Sequence, residues 1–373
     1  MPAIVVKTVT SRRELKKFIA FPNKLFADVP SYIPALNFDE MNLLGDKNPS
    51  LEHCSRELFL AWRDGKVVGR VAAIINRSVN EHWHKRAVRF GWFDFIEDYD
   101  VVSALLGKVA DYGRVHGMTE IEGPFGFTDM DKECWVIDNF DARQNISTLY
   151  NPEYYIKFIE RAGYDIRCKW QQYVMPANQP VPDKVARLNT LIMEKYHLRL
   201  VKVKHRKELI PYAWQFFHAI NDSFKDLYDF VPMTEKEIDV YIKEYFPFVN
   251  MDFVQFVVDE NDHLVGFGLS IPDLNAAYKK ANGRLFPFGW YHILKAFRKF
   301  DTIDLLLNGV LPEWQKRGVH SIYYCDMNEA AIKFNVHTAY TNPQIIGNEA
   351  VKIWETQYHT TPLMQRAVFG KNL

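Results

Sequence analysis

The residues best suited to chemistry stand together in Gln315-Lys316-Arg317-Gly318-Val319-His320-Ser321. Two cations precede a glycine, and Val319, Ile322, Tyr323, Ala330 and Phe334 then recur at roughly helical spacing. A helix opening here presents N–H groups that have no intrahelical partner, and its dipole adds positive potential at the same end. A phosphate or pyrophosphate is the anion that such an end attracts. Gly318, without a Cβ, lets the backbone come close to it. His320 has three readings: an imidazole that crowds the anion, a cation that hydrogen-bonds to it, or a helix-surface side chain in solvent. Upstream, 302–311 is an apolar run of strand length ending in Val310-Leu311-Pro312. A strand therefore feeds the turn that opens the helix.

The elements that must hold this turn are written twice. A β-rich run enters a charged helix start at Val9 before Arg12-Arg13-Glu14-Leu15, and again at Val203 before Arg206-Lys207-Glu208-Leu209, an offset of 194 residues. Near the other end, Ile159, Tyr164, Gln171 and Val174 are matched by Ile353, Tyr358, Gln365 and Val368, with the same offset. Between them, Gly65-Lys66-Val67-Val68-Gly69 and Asp262-His263-Leu264-Val265-Gly266 each read as a tight turn between alternating strands. Agreement at both ends points to a duplication. Prolines 176, 180 and 182 interrupt regular structure in 175–184, which places the boundary near residue 178 and gives domains 1–178 and 179–373. Each half reads as strand, helical region, two antiparallel strands, then strand, helix, strand, helix and final strand. The expected class is α/β (α+β), two mixed sheets flanked by helices.

Composition narrows the function. Lys plus Arg and Asp plus Glu both number 46, so the overall field does not favour a nucleic-acid partner. The four cysteines, Cys54, Cys134, Cys168 and Cys325, lack C-x-x-C spacing, so neither a metal site nor a dithiol centre is expected and the thiols read as reduced. No apolar run reaches about 18 residues, and the first residues read as a strand rather than a signal peptide. A cytoplasmic protein is expected, with any membrane contact peripheral at the inner surface.

The loop 315–320 resembles the coenzyme A loop of the GNAT superfamily, Gln/Arg-x-x-Gly-x-Gly/Ala after a fourth strand; Gln315 and Gly318 fit, and His320 departs from it. The chain further resembles a tandem group related to bacterial ceramide synthases in Gly123-Pro124-Phe125-Gly126-Phe127, Tyr150-Asn151-Pro152-Glu153-Tyr154-Tyr155, Ile271-Pro272-Asp273-Leu274-Asn275 and Gly283-Arg284-Leu285-Phe286-Pro287-Phe288-Gly289. The resemblance implies a tandem GNAT-like fold and an acyl-CoA N-acyltransferase. The donor would be acetyl-CoA or a longer acyl-CoA, the acceptor a primary amine of long-chain, sphingoid type. It further implies coenzyme contacts from Val310, Leu311, Gln315, Lys316, Arg317, Gly318, Val319, His320 and Ser321, and from Asn342 along the pantetheine arm. Asn342 reads equally as a turn residue before Pro343.

Only a free amine attacks a thioester, so a proton acceptor is needed at neutral pH. A GNAT carboxylate eleven residues before the loop's Gln corresponds to Asp304, which would act as general base through water; alone, Asp304 reads as solvated or capping. Many GNAT proteins protonate the leaving thiolate from a Tyr where Trp354 stands here; Tyr323, Tyr324 and Tyr340 are nearby in sequence but read equally as core aromatics. The first half has Asp98-Tyr99-Asp100 at its corresponding helix start and no Gln/Arg-x-x-Gly, so it reads as a partner domain without coenzyme. A non-catalytic coenzyme binder and a tandem-GNAT aminoacyl-tRNA-dependent transferase are the alternatives, the second requiring a basic face.

Residues 272–300 form an insertion before the coenzyme strand. Within it Trp290, Ile293, Leu294 and Phe297 fall on one helix face, opposite His292, Lys295, Arg298 and Lys299. This helix reads as docked on the core, as interfacial, or as a lid over an acyl chain.

Overall fold

The structure is a computed structural model that describes residues 3–246, 249–347 and 360–373. The second-half matches at Ile353 and Tyr358 and the Trp354 position lie outside the described residues. The chain forms two compact units, Met1–Gln171 with Leu274–Leu294 and Leu363–Leu373, and Gln172–Asp273 with Lys295–Pro362. Neither unit is a single stretch of sequence.

In the first unit the strand order is Val5–Thr8, Cys54–Arg63, Lys66–Asn76, Ala87–Phe95, Glu120–Gly123 and then the chain's last strand, Thr361–Asn372. The first hairpin closes through Asp64 and Gly65, both at positive φ, a turn whose twist suits adjoining antiparallel strands. Alternation along these strands builds two cores. Phe59, Ala61, Val71, Ala73 and Ile75 meet Val101, Val102, Leu105 and Val109 of helix Tyr99–Val115. Leu58, Leu60, Ala72 and Ile74 point the other way, to Phe18 and Ile19 of helix Arg12–Leu25. Period-2 strands thus bury both faces, each under a helix. Helix Arg12–Leu25 begins at a capping box in which Ser11 and Glu14 satisfy one another's backbone donors.

The second unit repeats the plan with Arg199–Leu200, Val254–Val258, Leu264–Pro272, Thr302–Val310, Thr338–Thr341 and residues 172–176 of the strand Asp165–Pro176. Val257, Val265, Ile303 and Leu305 face helix His320–Lys333, while Phe256 and Phe267 face Phe216 of helix Ile210–Phe224, with ring centroids 5.5 and 5.0 Å away. Each unit is therefore completed by a strand that is distant in sequence from its partner: residues 369–372 pair with Glu120–Gly123, and 174–176 with 338–340. The insertion likewise contributes Leu274–Leu294 to the first unit, although it interrupts the second half of the sequence.

Candidate functional site

The site grows from one strand. Thr302–Val310 runs parallel to Thr338–Thr341, but the last matched pair is Leu305 with Thr341. Beyond it, no described strand pairs with 306–310 on that side, and these residues are half-buried where 303–305 are buried. Asn342 sits at the fork: its N–H donates to Leu305 O at 3.0 Å and its side-chain amide to Leu306 O at 3.1 Å. An unpaired strand edge offers backbone donors and acceptors to any extended amide-bearing chain.

The same strand carries a bulge. Leu305 and Leu307 face Ser270 and Leu269 in turn, which leaves Leu306 as an extra residue. The bulge resets the alternation, so Asn308 and Val310 return to the face of Ile303 and Leu305. There Tyr324 donates its hydroxyl to Asn308 Oδ1 at 3.1 Å, and Gly309 lies instead against the Phe267 ring. The expected Asp304 faces away from helix His320–Lys333, fully buried between ladder partners Ile271 and Tyr340. It is therefore not a solvated or loosely capping residue. At about 3.3 Å per residue it lies roughly 20 Å along the strand from Val310.

At the far end of that strand the chain turns through Pro312–Trp314 into 315–319. Lys316 and Gly318 both take positive φ, 62° and 80°. Alternating left- and right-handed residues turn successive N–H groups toward one side, forming a concave anion site. The N–H groups of 316–320 make no hydrogen bond within the loop or the helix, whereas Ser321 N donates to Gly318 O at 3.0 Å. Gln315 is exposed, and its amide donates back to Val310 O at 3.3 Å, a carbonyl that Ser223 Oγ also reaches at 3.3 Å. Leu311 N is held by Val265 O and Ser321 Oγ by Gly318 O. Val319 is buried in the core and contributes only backbone.

Gly318 has a second reason to be glycine. A Cβ there would stand 2.6 Å from Ile192 Cδ1 of helix Asp183–Tyr196. Arg317 stacks over Trp314 and Tyr196, 4.9 and 5.5 Å from the ring centroids, so a fixed cation borders the N–H array. Burial lowers the pKa of His320, which favours its neutral form and disfavours the cationic reading. Of the three tyrosines, Tyr323 is buried and pushed well above its ordinary pKa by that burial, while Tyr324 reaches the open edge through Asn308. Ile192, Tyr196, Ser223 and Asn308 were not singled out from sequence; their roles depend on distant chain segments.

The first unit shows what happens to the same place without the loop. Ala87–Phe95 runs parallel to Glu120–Gly123 only over Ala87 to Arg89. Backbone contact continues to Phe125, whose N–H donates to Phe90 O at 2.9 Å, and farther along the strand aromatics pack against it: Trp135 and Tyr155 are buried, Tyr155 OH accepts from Phe95 N at 3.0 Å, and Tyr154 OH donates to Phe95 O at 2.7 Å. Asn151 fixes this packing by bonding both Val136 N and Val136 O. The following helix start is occupied by Asp98, which accepts from Asp100 N at 2.9 Å and pairs with Arg63 at 2.6 Å. That hydrogen-bonded pairing with Arg63 holds its carboxyl below the ordinary Asp pKa.

A large mixed sheet flanked by helices, its plan repeated in the two units, is the tandem GNAT fold, and this chain has it. The tandem GNAT protein from the clavulanic acid biosynthesis pathway superposes with a TM-score of 0.58 at 10% identity, covering 99% of this chain and 98% of that one. The glucosamine N-acetyltransferase region of a fungal multi-domain β-N-acetylglucosaminidase gives 0.57 at 14% identity over 100% of this chain, which spans only 38% of that longer protein. In sequence, the chain is 28% identical to Protein YghO of Escherichia coli over 83% of its length and 80% of that protein. It is 27% identical to the bacterial ceramide synthase of Caulobacter vibrioides over 79% of its length and 76% of that protein. No family model matches.

Proposed function

We propose that this protein is an acyl-CoA-dependent N-acyltransferase whose coenzyme site lies in its second unit and whose acceptor is a long-chain primary amine. The observation that carries the reading is the open edge of strand Thr302–Val310 ending at the N–H groups of 316–320. Those N–H groups and the Arg317 guanidinium would hold the pyrophosphate, and residues 306–310 the pantetheine arm by strand-like hydrogen bonds, with Asn342 keeping the fork open. Acyl transfer forms a bond from the amine nitrogen to the thioester carbonyl carbon and breaks the C–S bond. The nitrogen loses a proton and the sulfur gains one. Asp304, near the end of the strand opposite the phosphate loop, is the proposed acceptor, and Tyr324 the proposed donor.

The likeness to the Caulobacter ceramide synthase supports the long-chain acceptor and, with it, a fatty-acyl donor. The complete burial of Asp304 favours a second reading, a coenzyme binder without turnover. Calorimetry with acetyl- and palmitoyl-CoA, combined with a thiol-release assay over an amine panel that includes sphinganine, separates the two. Saturable coenzyme binding with thiol release that needs the long-chain amine is expected. Binding without turnover leaves the second reading, and no binding refutes both.

A further inference from the structure

The insertion is where the molecule exposes its aromatics. Among the described residues, every exposed large aromatic falls in one place: Phe38, Phe286, Phe288, Trp290 and Tyr291, with Leu294 also exposed. Phe286 and Phe288 are 78% and 70% exposed, more than an incidental surface contact leaves open. The sequence pattern of helix Gly289–Ala296 admitted a docked apolar stripe, but Trp290 and Leu294 of that stripe face solvent and Ile293 and Phe297 are only half-buried.

These side chains are not on a loose loop. Trp290 Nε1 donates to Pro287 O at 2.8 Å, Trp290 N to Leu285 O at 2.9 Å and Tyr291 N to Phe288 O at 3.1 Å. Gly289 packs so closely that a Cβ would meet Arg284 O at 2.0 Å. The inner side is anchored within the first unit. Asn37 N, next to Phe38, donates to Gly283 O at 2.9 Å, Asn275 donates to Gln144 O at 2.7 Å, and Lys279 bonds to Pro30 O. The aromatics are thus presented outward on a fixed turn.

Charge names the occupant. From 274 to 300 the chain carries Lys279, Lys280, Arg284, Lys295, Arg298 and Lys299 and no acid, within a protein whose net charge is +0. Asp273 and Asp301 bound the stretch, and Asp39 is the exposed acid beside Phe38. Exposed Trp, Tyr and Phe interleaved with Lys and Arg match the boundary between headgroups and acyl chains of an anionic bilayer. No helix among the described residues is long and apolar enough to cross a membrane, so the contact is on its surface. We infer that the turn 283–294, with Phe38 and the basic residues that flank the turn in sequence, docks this protein on an anionic lipid surface. The inference does not depend on acyl transfer.

Co-sedimentation of the full chain with phosphatidylcholine vesicles, with and without phosphatidylglycerol, tests it in the absence of any acyl donor. Binding is expected with phosphatidylglycerol, weaker binding without it, and weakening by salt. The triple variant Lys295→Gln, Arg298→Gln, Lys299→Gln should lower partitioning on the order of 100-fold, since each basic residue near such a surface contributes about fivefold. Phe286→Ser with Phe288→Ser should lower it at low and high salt alike, with an unchanged thermal melt because both side chains are exposed. No sedimentation with anionic vesicles, or equal partitioning of both variants and wild type, overturns the inference. So does a concentration-dependent dimer that the Phe variants abolish while vesicle binding is absent, because the patch is then a contact between copies.

Discussion

Replacing Gly318 by Ala tests how the loop is built. At φ 80° an L-residue is disfavoured by roughly 1–2 kcal/mol relative to glycine. The added Cβ also stands 2.6 Å from Ile192 Cδ1, so the isoleucine must leave its rotamer, a further ~0.5–1.5 kcal/mol. Gly318→Ala is therefore expected to destabilise the protein by about 2–3 kcal/mol. The two contributions separate through Ile192→Val, which deletes the clashing Cδ1 and by itself costs ~0.5–1.5 kcal/mol. In that background Gly318→Ala should cost only the backbone part, about 1–2 kcal/mol. Urea denaturation of the four proteins, followed by tryptophan fluorescence, gives the coupling energy. Coenzyme affinity measured on the same proteins reports whether the left-handed turn aims the N–H groups. An equal cost in both backgrounds would refute the packing argument, and unchanged affinity in a loop that has lost its turn would refute the site.

Asp304→Asn should lower acyl transfer by about 10²- to 10⁴-fold with coenzyme affinity unchanged, as loss of a general base does; a wild-type rate at a pH where the amine is protonated excludes the role. Tyr324→Phe removes the bond to Asn308 Oδ1 and should cost ~1 kcal/mol in stability together with a fall in kcat; a stability loss with kcat intact assigns the tyrosine to packing alone. Burial lowers the pKa of His320, so the unfolded chain binds its proton first as pH falls below about 6.5, and this residue's contribution to stability is lost on acidification. His320→Gln should flatten that limb of the stability profile. Coenzyme affinity should not strengthen between pH 8 and 6, and a rise there would restore the cationic reading.

Local patterns in the sequence were enough for the parts of the site that are local. Residues 302–310 show their strand as an apolar run and 320–333 their helix through periodicity, and Gly318 marks the turn between them, where its φ is positive. The hairpins at Asp64-Gly65 and near Asp262 were equally legible, since positive φ is a property of single residues.

The duplication too was visible from the sequence, as a matching order of elements. Tertiary structure decided the rest. The strands that complete each unit come from far along the chain, and backbone hydrogen bonds between distant segments leave no mark on local periodicity. The bulge at Leu306 depends on register against Ser270 and Leu269, yet it alone returns Asn308 to the face of Tyr324. Trp135 and Tyr155 look like ordinary core aromatics until strand Ala87–Phe95 packs against them. The insertion's apolar stripe could be read from spacing, but its exposure could not: periodicity says which side chains share a face, and only the packed neighbours determine whether that face is covered.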